Sequence, residues 1–371
     1  MNSAVLFLKN QKEQDLARIS LFDKHLIDYT IIELKRLDVD TIYLVGDNDF
    51  SYENVIKRDS IDEVINELKN INGKCLLLSP FYPLVDKSEY ERLLRVNGNG
   101  VFIDKNGEIV PIFSINSKNI ADYEKLDYSG ITINETKGYK FTSVNDVSKF
   151  QDVIKAKINR RWINKGVIIS DPKNTIIGVD VVVDKGTKIY PNVVLEGKCL
   201  IGQNNVIVSG SKLKNVVLGD NNYIEDSFIC DSLIHNNVKI GTHCNITDNS
   251  EIFDEVEIGS SVKLTTTKVG QKTIIEHLTY LGDCQVGEEV KVGSGVVTVN
   301  SDGMSRNTSI IKSHSVIGSN VSIISPVTIG EYTLIAAGST IDQDVKDGDM
   351  AIARLYQQNK KGYGYKYIKE D

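Results

Sequence analysis

From residue 177 to residue 341, aliphatic side chains recur at every sixth position. Ile177, Val183, Ile189, Leu195, Ile201, Ile207 and Leu213 share one register. Ile240, Ile246, Ile252, Ile258 and Leu264 share a second, and Ile311, Ile317, Ile323, Ile329, Ile335 and Ile341 a third. Four residues after most of them stands a small or β-branched residue, such as Val181, Thr187, Cys199, Ser211, Cys244, Ser250 or Ser339. Glycine often follows the aliphatic, as at Gly202, Gly241, Gly259, Gly318 and Gly330. Such a hexapeptide repeat predicts a left-handed parallel β-helix over residues 167–345. Each hexad is a short strand plus a corner, and three hexads close one triangular coil. The aliphatic points inward, the small residue fits near the corner, and Gly or Asn takes the positive φ that corners need. An antiparallel sandwich also has many short strands, but it would not hold a period of six over this length.

The first half reads differently. Residues 4–8 and Thr41–Val45 look like buried strands, as does Cys75–Leu78. Between them, Leu26–Leu37 carries Ile27, Ile31 and Leu34 on one helical face. Ser60 and Glu63 form a capping box ahead of Val64, Ile65 and Leu68. Alternating strands and helices predict a small α/β domain with a parallel sheet over residues 1–142. Residues 143–166 read as a connecting helix, with Val147, Phe150, Ile154, Ile158 and Trp162 on one stripe, Asn145 or Asp146 at its start and Gly166 at its end. Arg160 and Arg161 on it read as a solvated helix end rather than an anion site. Residues 346–371 form a tail. Two stretches break the hexad period. One runs from Val269 to Val286. The other, Val299 to Ser309, is polar and is expected to bulge as a loop, where function tends to sit.

Composition narrows the function. The chain has 371 residues and a formal net charge of −7, which argues against a nucleic-acid partner. Five cysteines lack any C-x-x-C spacing, and Cys199 and Cys244 fall on inward positions, which fits a reduced, cytoplasmic compartment. No apolar run approaches membrane length, so no membrane insertion is expected. The turn after Leu8 reads Lys-Asn-Gln-Lys-Glu-Gln-Asp, and the first glycine in the chain is Gly46. Backbone must approach phosphates closely, so this turn is not a phosphate loop.

His277-Leu-Thr-Tyr-Leu-Gly-Asp283 and Asn300-Ser-Asp-Gly303 resemble the acetyltransferase half of the bifunctional N-acetylglucosamine-1-phosphate uridyltransferase/glucosamine-1-phosphate acetyltransferase family. Ile189-Tyr-Pro-Asn-Val-Val-Leu-Glu-Gly197 and Ala351-Ile-Ala-Arg354 are also similar to it. The resemblance is dense from about Asp171 to the tail and implies a homotrimer with acetyl-CoA in clefts between subunits. Toward the N-terminus it thins. The family's glycine-rich L-x-x-G-x-G-T-x-M is missing, and its metal-holding Asp in G-D-x-P-L is replaced by Phe81 in Pro80-Phe-Tyr-Pro-Leu84. Residues 1–142 therefore resemble a reduced nucleotidyltransferase domain expected to be inactive, with no metal site.

In the β-helix half, the resemblance implies an N-acetyl transfer to an amino sugar, its phosphate or its nucleotide form. Only a free amine attacks a thioester, so a base is needed, and His277 fits that role. The developing oxyanion needs an N–H donor, which the resemblance assigns to the backbone amide of Ser294. Asn300 would orient the acceptor or the acetyl group. Ser319, Ala337 and Arg354 match acetyl-CoA positions, Arg354 suiting its phosphates. His235, His243 and His314 lack such a motif and read as structural. On the acceptor side, Tyr280 matches the family's Tyr. Its sugar-phosphate Arg falls in Thr247-Asp248-Asn249 and its Lys at Thr265, while Lys263 and Lys291 bring new cations and Arg306 stands at the loop lysine, so Lys291 and Arg306 are the expected substrate ligands beside Tyr280. The alternative is a non-catalytic trimeric paralogue that binds a sugar nucleotide or a partner enzyme.

Overall fold

A computed structural model describes all residues except 1, 38, 105, 126–131, 137, 139 and 367–371. The chain divides into two compact units, Met1–Lys157 and Ile158–Asp371.

In the first unit the strands are β1 (Ser3–Phe7), a small antiparallel ribbon of β2 (Ser20–Leu21) and β3 (Lys24–His25), β4 (Thr41–Val45), β5 (Val55–Arg58), β6 (Lys74–Leu78), β7 (Gly100–Ile103), β8 (Ile109–Asn116) and β9 (Thr132–Glu135). The main sheet runs β5-β4-β1-β6-β8-β7-β9. Its first four strands are mutually parallel, as the alternating pattern predicts. The sheet is mixed beyond them, because β8 runs antiparallel to both β6 and β7. The sequence reading had no signal for that edge: β8 alternates buried and exposed positions and carries Pro111. Helix α1 (Gln11–Ala17) follows β1, and α2 (Leu26–Lys35) buries Ile27, Ile31 and Leu34. In α3 (Ile61–Leu68) the Ser60–Glu63 capping box forms as expected, and α4 is Lys87–Leu94. Gly46, the first glycine, has φ +121, and a Cβ there would collide with the Leu8 carbonyl. It lets two strand ends abut rather than cradling a ligand.

Helix α5 (Val147–Asn164) carries the predicted stripe, and its Phe150, Ile154 and Trp162 are buried. At its start Ser143 accepts the Asn145 N–H, while the Asp146 carboxylate accepts from Thr142. Gly166 ends it at φ +91.

The second unit is the parallel β-helix. Three sheets of eleven, ten and nine strands form its faces. The first starts at Ile168–Ile169, the second at Ile176–Ile177, the third at Val182–Val183. Register follows the hexads: Ile189 lies on Ile207, which lies on Ile224. These aliphatics form one core with Trp162, and Cys199 and Cys244 are buried in it. Fully burying each such side chain stabilises by roughly 1.5–3 kcal/mol.

Two departures from the sequence expectation have physical causes. The hexads split into separate registers because some corners, most of them between the second and third sheets, are one residue short. Leu213 to Leu218, Ile224 to Ile229, Ile229 to Ile234, Leu264 to Val269 and Leu281 to Val286 are steps of five. A single left-handed residue makes each turn: Asn215, Asp226, Asp231, Thr266 and Asp283, with φ from 38 to 52. The expected break over Val269–Val286 is therefore one short corner, and strands continue through it. The break at Val299–Ser309 is a true insertion between the strands Val297–Val299 and Ser309–Ile311. Beyond Ile341 one more strand, Met350–Ala351, pairs with Leu334–Ile335.

Candidate functional site

A β-helix places residues from successive coils one above another, roughly 4.8 Å apart. Along the corner between the first and second sheets, Leu278 N–H bonds the Ser260 carbonyl, Gly295 that of His277, Asn320 that of Ser294, and Gly338 that of Ser319. His277, Ser294, Ser319 and Ala337 thus form one column, one per coil. Arg354 continues it, its Cδ 3.8 Å from where a Cβ on Gly338 would stand.

His277 is exposed, its neighbour Leu278 turning the corner at φ +60. Its Nδ1 lies 3.4 Å from the Ser294 hydroxyl and 3.8 Å from a Glu276 carboxylate oxygen. The Gly293 and Gly295 amides bond the Ile317 and His277 carbonyls. The Ser294 amide between them donates to no acceptor among the described residues. An imidazole and a free N–H one coil apart are the elements a proton acceptor and an oxyanion donor require. The small side chains of Ser319 and Ala337 on the next coils are exposed and leave this edge open as far as Arg354.

A second group forms on the opposite edge of the same face. The Tyr280 hydroxyl donates to Asn300 Oδ1 at 3.3 Å, and Asn300 Nδ2 donates to Asp283 at 2.5 Å. Arg306 lies 3.7 Å from the same carboxylate. The loop folds back on itself through a Ser301–Arg306 bridge and the Asn307 amide on the Asn300 carbonyl. Within the chain it reaches Tyr280 and Asp283, not His277.

The sequence reading omitted three residues that build this group. Asp283 anchors both Asn300 and Arg306. Gly282 is there for space: a Cβ would meet the Tyr280 hydroxyl and stand 2.6 Å from Asn300 Nδ2. Thr298 repairs the ladder where the inserted loop disturbs it. Pairing between the Tyr280 and Val297 strands registers only at those two residues, and the Thr298 hydroxyl accepts the Gly282 N–H at 2.7 Å. The missing signal was the coil length, since Asp283 and Asn300 are 17 residues apart, the step from one coil to the next.

Lysines separate by face. Lys263 is the register neighbour of Tyr280 on the second sheet. Lys291 lies on the first sheet between Ile274 and Val316, away from Tyr280. Thr265 pairs with Gly282 and is buried, and its hydroxyl has no partner. Thr247 bonds its neighbour Asp248. In the first unit, Phe81 is buried and its carbonyl accepts the Phe141 N–H at 2.7 Å. Among the described residues no three His, Cys, Asp or Glu side chains cluster, and no helix is long and apolar enough to cross a membrane.

The fold and the corner column define a hexapeptide-repeat transferase, and the family described as bacterial transferase hexapeptide (six repeats) matches residues 308–343. Relatives narrow this. The bifunctional protein GlmU of Listeria monocytogenes serotype 4b is 32% identical over 342 residues, 89% of this chain and 72% of that protein. The chain belongs to the bifunctional GlmU family. The GlmU of Clostridium beijerinckii is 40% identical over 217 residues, 58% of this chain. The chain spans about half of that relative's length, 48%. Among solved structures, a UDP-N-acetylglucosamine acyltransferase of Francisella novicida covers 50% of this chain and 67% of its own at 20% identity and a TM-score of 0.35, too loose a likeness to argue from.

Proposed function

We propose that the chain is an acetyl-CoA-dependent N-acetyltransferase acting on glucosamine-1-phosphate or a related amino sugar or sugar nucleotide, as a homotrimer. The observation that carries this reading is the corner column from His277 to Arg354. Acetyl-CoA supplies an acetyl group on a thioester. Ser319, Ala337 and Arg354 would hold it along the edge, and the Ser294 N–H would face its carbonyl oxygen. His277 would take the proton from the acceptor amine. Asn300 and Tyr280, held by Asp283, would orient the acceptor.

His277 and Asn300 lie on opposite edges of one face, so a complete site needs a second subunit to bring the two edges together. A stripe of aliphatics on the third sheet, Val182, Leu200 and Val217 in register with Leu233, supports such an assembly. Lys263 beside Tyr280 is the cation best set to meet a phosphate. Lys291 and Arg306 remain candidates from neighbouring faces or subunits. Uridylyl transfer is not expected of the first unit, which lacks the glycine turn and has Phe81 at the metal position.

The test is thiol release from acetyl-CoA over a panel of amino sugars, their 1-phosphates and their nucleotide forms. Turnover of at least one amine, lost in His277→Ala, is the expected result. Threonines at 247 and 265, where the family carries the sugar-phosphate Arg and Lys, favour the second reading, a non-catalytic paralogue. Binding of a sugar nucleotide without turnover of any amine would establish it.

A further inference from the structure

The parallel strands β1 and β6 end beside one cavity of about 490 Å³. In open α/β sheets, ligands bind in the crevice beyond the carboxyl ends of the strands. Its size falls within the range of small-molecule sites. Five aromatic rings line it: Phe7, Phe81, Phe113, Tyr123 and Phe141. Phe7 and Tyr123 are stacked, with centroids 5.8 Å apart and planes 14° from parallel. Lys9, Lys12 and Lys140 also line it, are exposed, and form no ion pair among the described residues.

A phosphate would find its place taken. The Lys9 N–H, at the turn after β1, donates to the Glu13 carboxylate at 2.6 Å, and the Glu13 N–H donates to Asn10 Oδ1 at 3.1 Å. The amides at the two ends of the turn, Lys9 and Glu13, are thus taken by its own side chains, and the Glu13 carboxylate stands where a phosphate would need to approach. Phe81 on the cavity wall offers no ligand to a cation. What remains is an aromatic box with three lysines around one carboxylate. Three like charges without partners repel one another, and a bound anion relieves that repulsion.

We propose that this cavity binds a small aromatic carboxylate, ring against the aromatic walls and acid toward the lysines, without a metal ion. The proposal is independent of acetyl transfer, which uses the other unit. The test is calorimetry on the full chain with phenylacetate, with its neutral isostere phenylacetamide, and with UTP in the presence and absence of Mg²⁺. Phenylacetate should bind, Mg²⁺ should not change its affinity, and phenylacetamide should bind about tenfold more weakly, the worth of one charge-assisted contact. Lys12→Glu with Lys140→Glu should weaken phenylacetate by at least about tenfold while leaving phenylacetamide unchanged. Both lysines are exposed, and Lys12→Gln with Lys140→Gln serves as the milder pair. Failure of phenylacetate to bind, equal affinity for acid and amide, or Mg²⁺-dependent UTP binding that displaces phenylacetate would each overturn the proposal.

Discussion

The two compact units carry their candidate sites in opposite ways. In the β-helix, His277, Ser294, Ser319 and Ala337 come from successive coils, and the same ladder that holds the fold holds them in line. In the α/β unit the corresponding ground is one turn, residues 9–13, and one loop residue, Phe81. The sheet beneath does not depend on what that turn carries: β1 pairs with β4 and β6 whether or not glycines follow it. A stacked site is bound up with its scaffold, whereas a loop site can change chemistry while the scaffold stays.

The largest expected effect is therefore on transfer in the β-helix unit. His277→Ala should lower the rate by about two to four powers of ten, the usual worth of a placed acid–base group. Its thermal melting should not move, because the side chain is exposed and its ladder bonds are backbone. An unchanged rate on a good acceptor would take the base away from His277. The complementary measurement is pyrophosphate release from UTP with a sugar-1-phosphate and Mg²⁺. Release at enzymatic rates would erase the contrast between the units.

Stability offers the next test. Ile275 and Leu77 are both buried, in different cores. Truncation of either to Ala should cost about 2–5 kcal/mol. The one tryptophan, Trp162, lies in the β-helix core. Its fluorescence in a denaturant titration should thus shift its midpoint for Ile275→Ala and hold it for Leu77→Ala. Equal shifts would mean that the two units unfold as one.

A smaller effect probes the edge holding Asn300. In Gly282→Ala the new methyl would meet the ends of two side chains rather than backbone. Tyr280 and Asn300 should swing aside, so the fold should survive with little loss. The acceptor KM should rise well before that of acetyl-CoA. If both rise together, the Tyr280–Asn300 pair is not specific to the acceptor.

These tests also mark what was legible in the sequence. The hexads gave the β-helix because an inward aliphatic at each strand is a demand of the fold itself. They did not reveal the five-residue corners, since Asn215, Asp226, Asp231, Thr266 and Asp283 belong to no single residue type and six-residue corners carry left-handed residues too. The motif around His277 and Asn300 identified the right segments. It did not show that they lie on opposite edges of one face, because that follows from counting coils rather than from local pattern. The sequence favoured Lys291 over Lys263 as a substrate ligand, whereas the register sets Lys263, not Lys291, beside Tyr280. In the first unit the aromatic cavity was hidden, because its walls come from five separate segments.

The finest prediction concerns the inserted loop, a part of the β-helix unit that resembles the α/β turns in being held locally. Asp302 accepts the Met304 N–H at 2.8 Å, the Ser305 N–H at 2.7 Å and the Ser305 hydroxyl at 3.1 Å. The Ser305 amide first, then the Met304 amide and the Ser305 hydroxyl, hold its carboxyl below the ordinary carboxylate value. A carboxyl depressed in the folded state adds stability above its unfolded pKa, and that contribution is lost as pH falls through the folded one. The loop should therefore keep its shape near neutrality and loosen only in acid, below the usual range for aspartate of about 3.9. The Ser305 amide resonance reports this directly, since its shift follows the hydrogen bond. A midpoint below the ordinary value, absent in Asp302→Asn, is the expected result. A midpoint at the ordinary value would mean that the carboxylate is not holding the loop, and that the Asn300 edge relies on Asp283 alone.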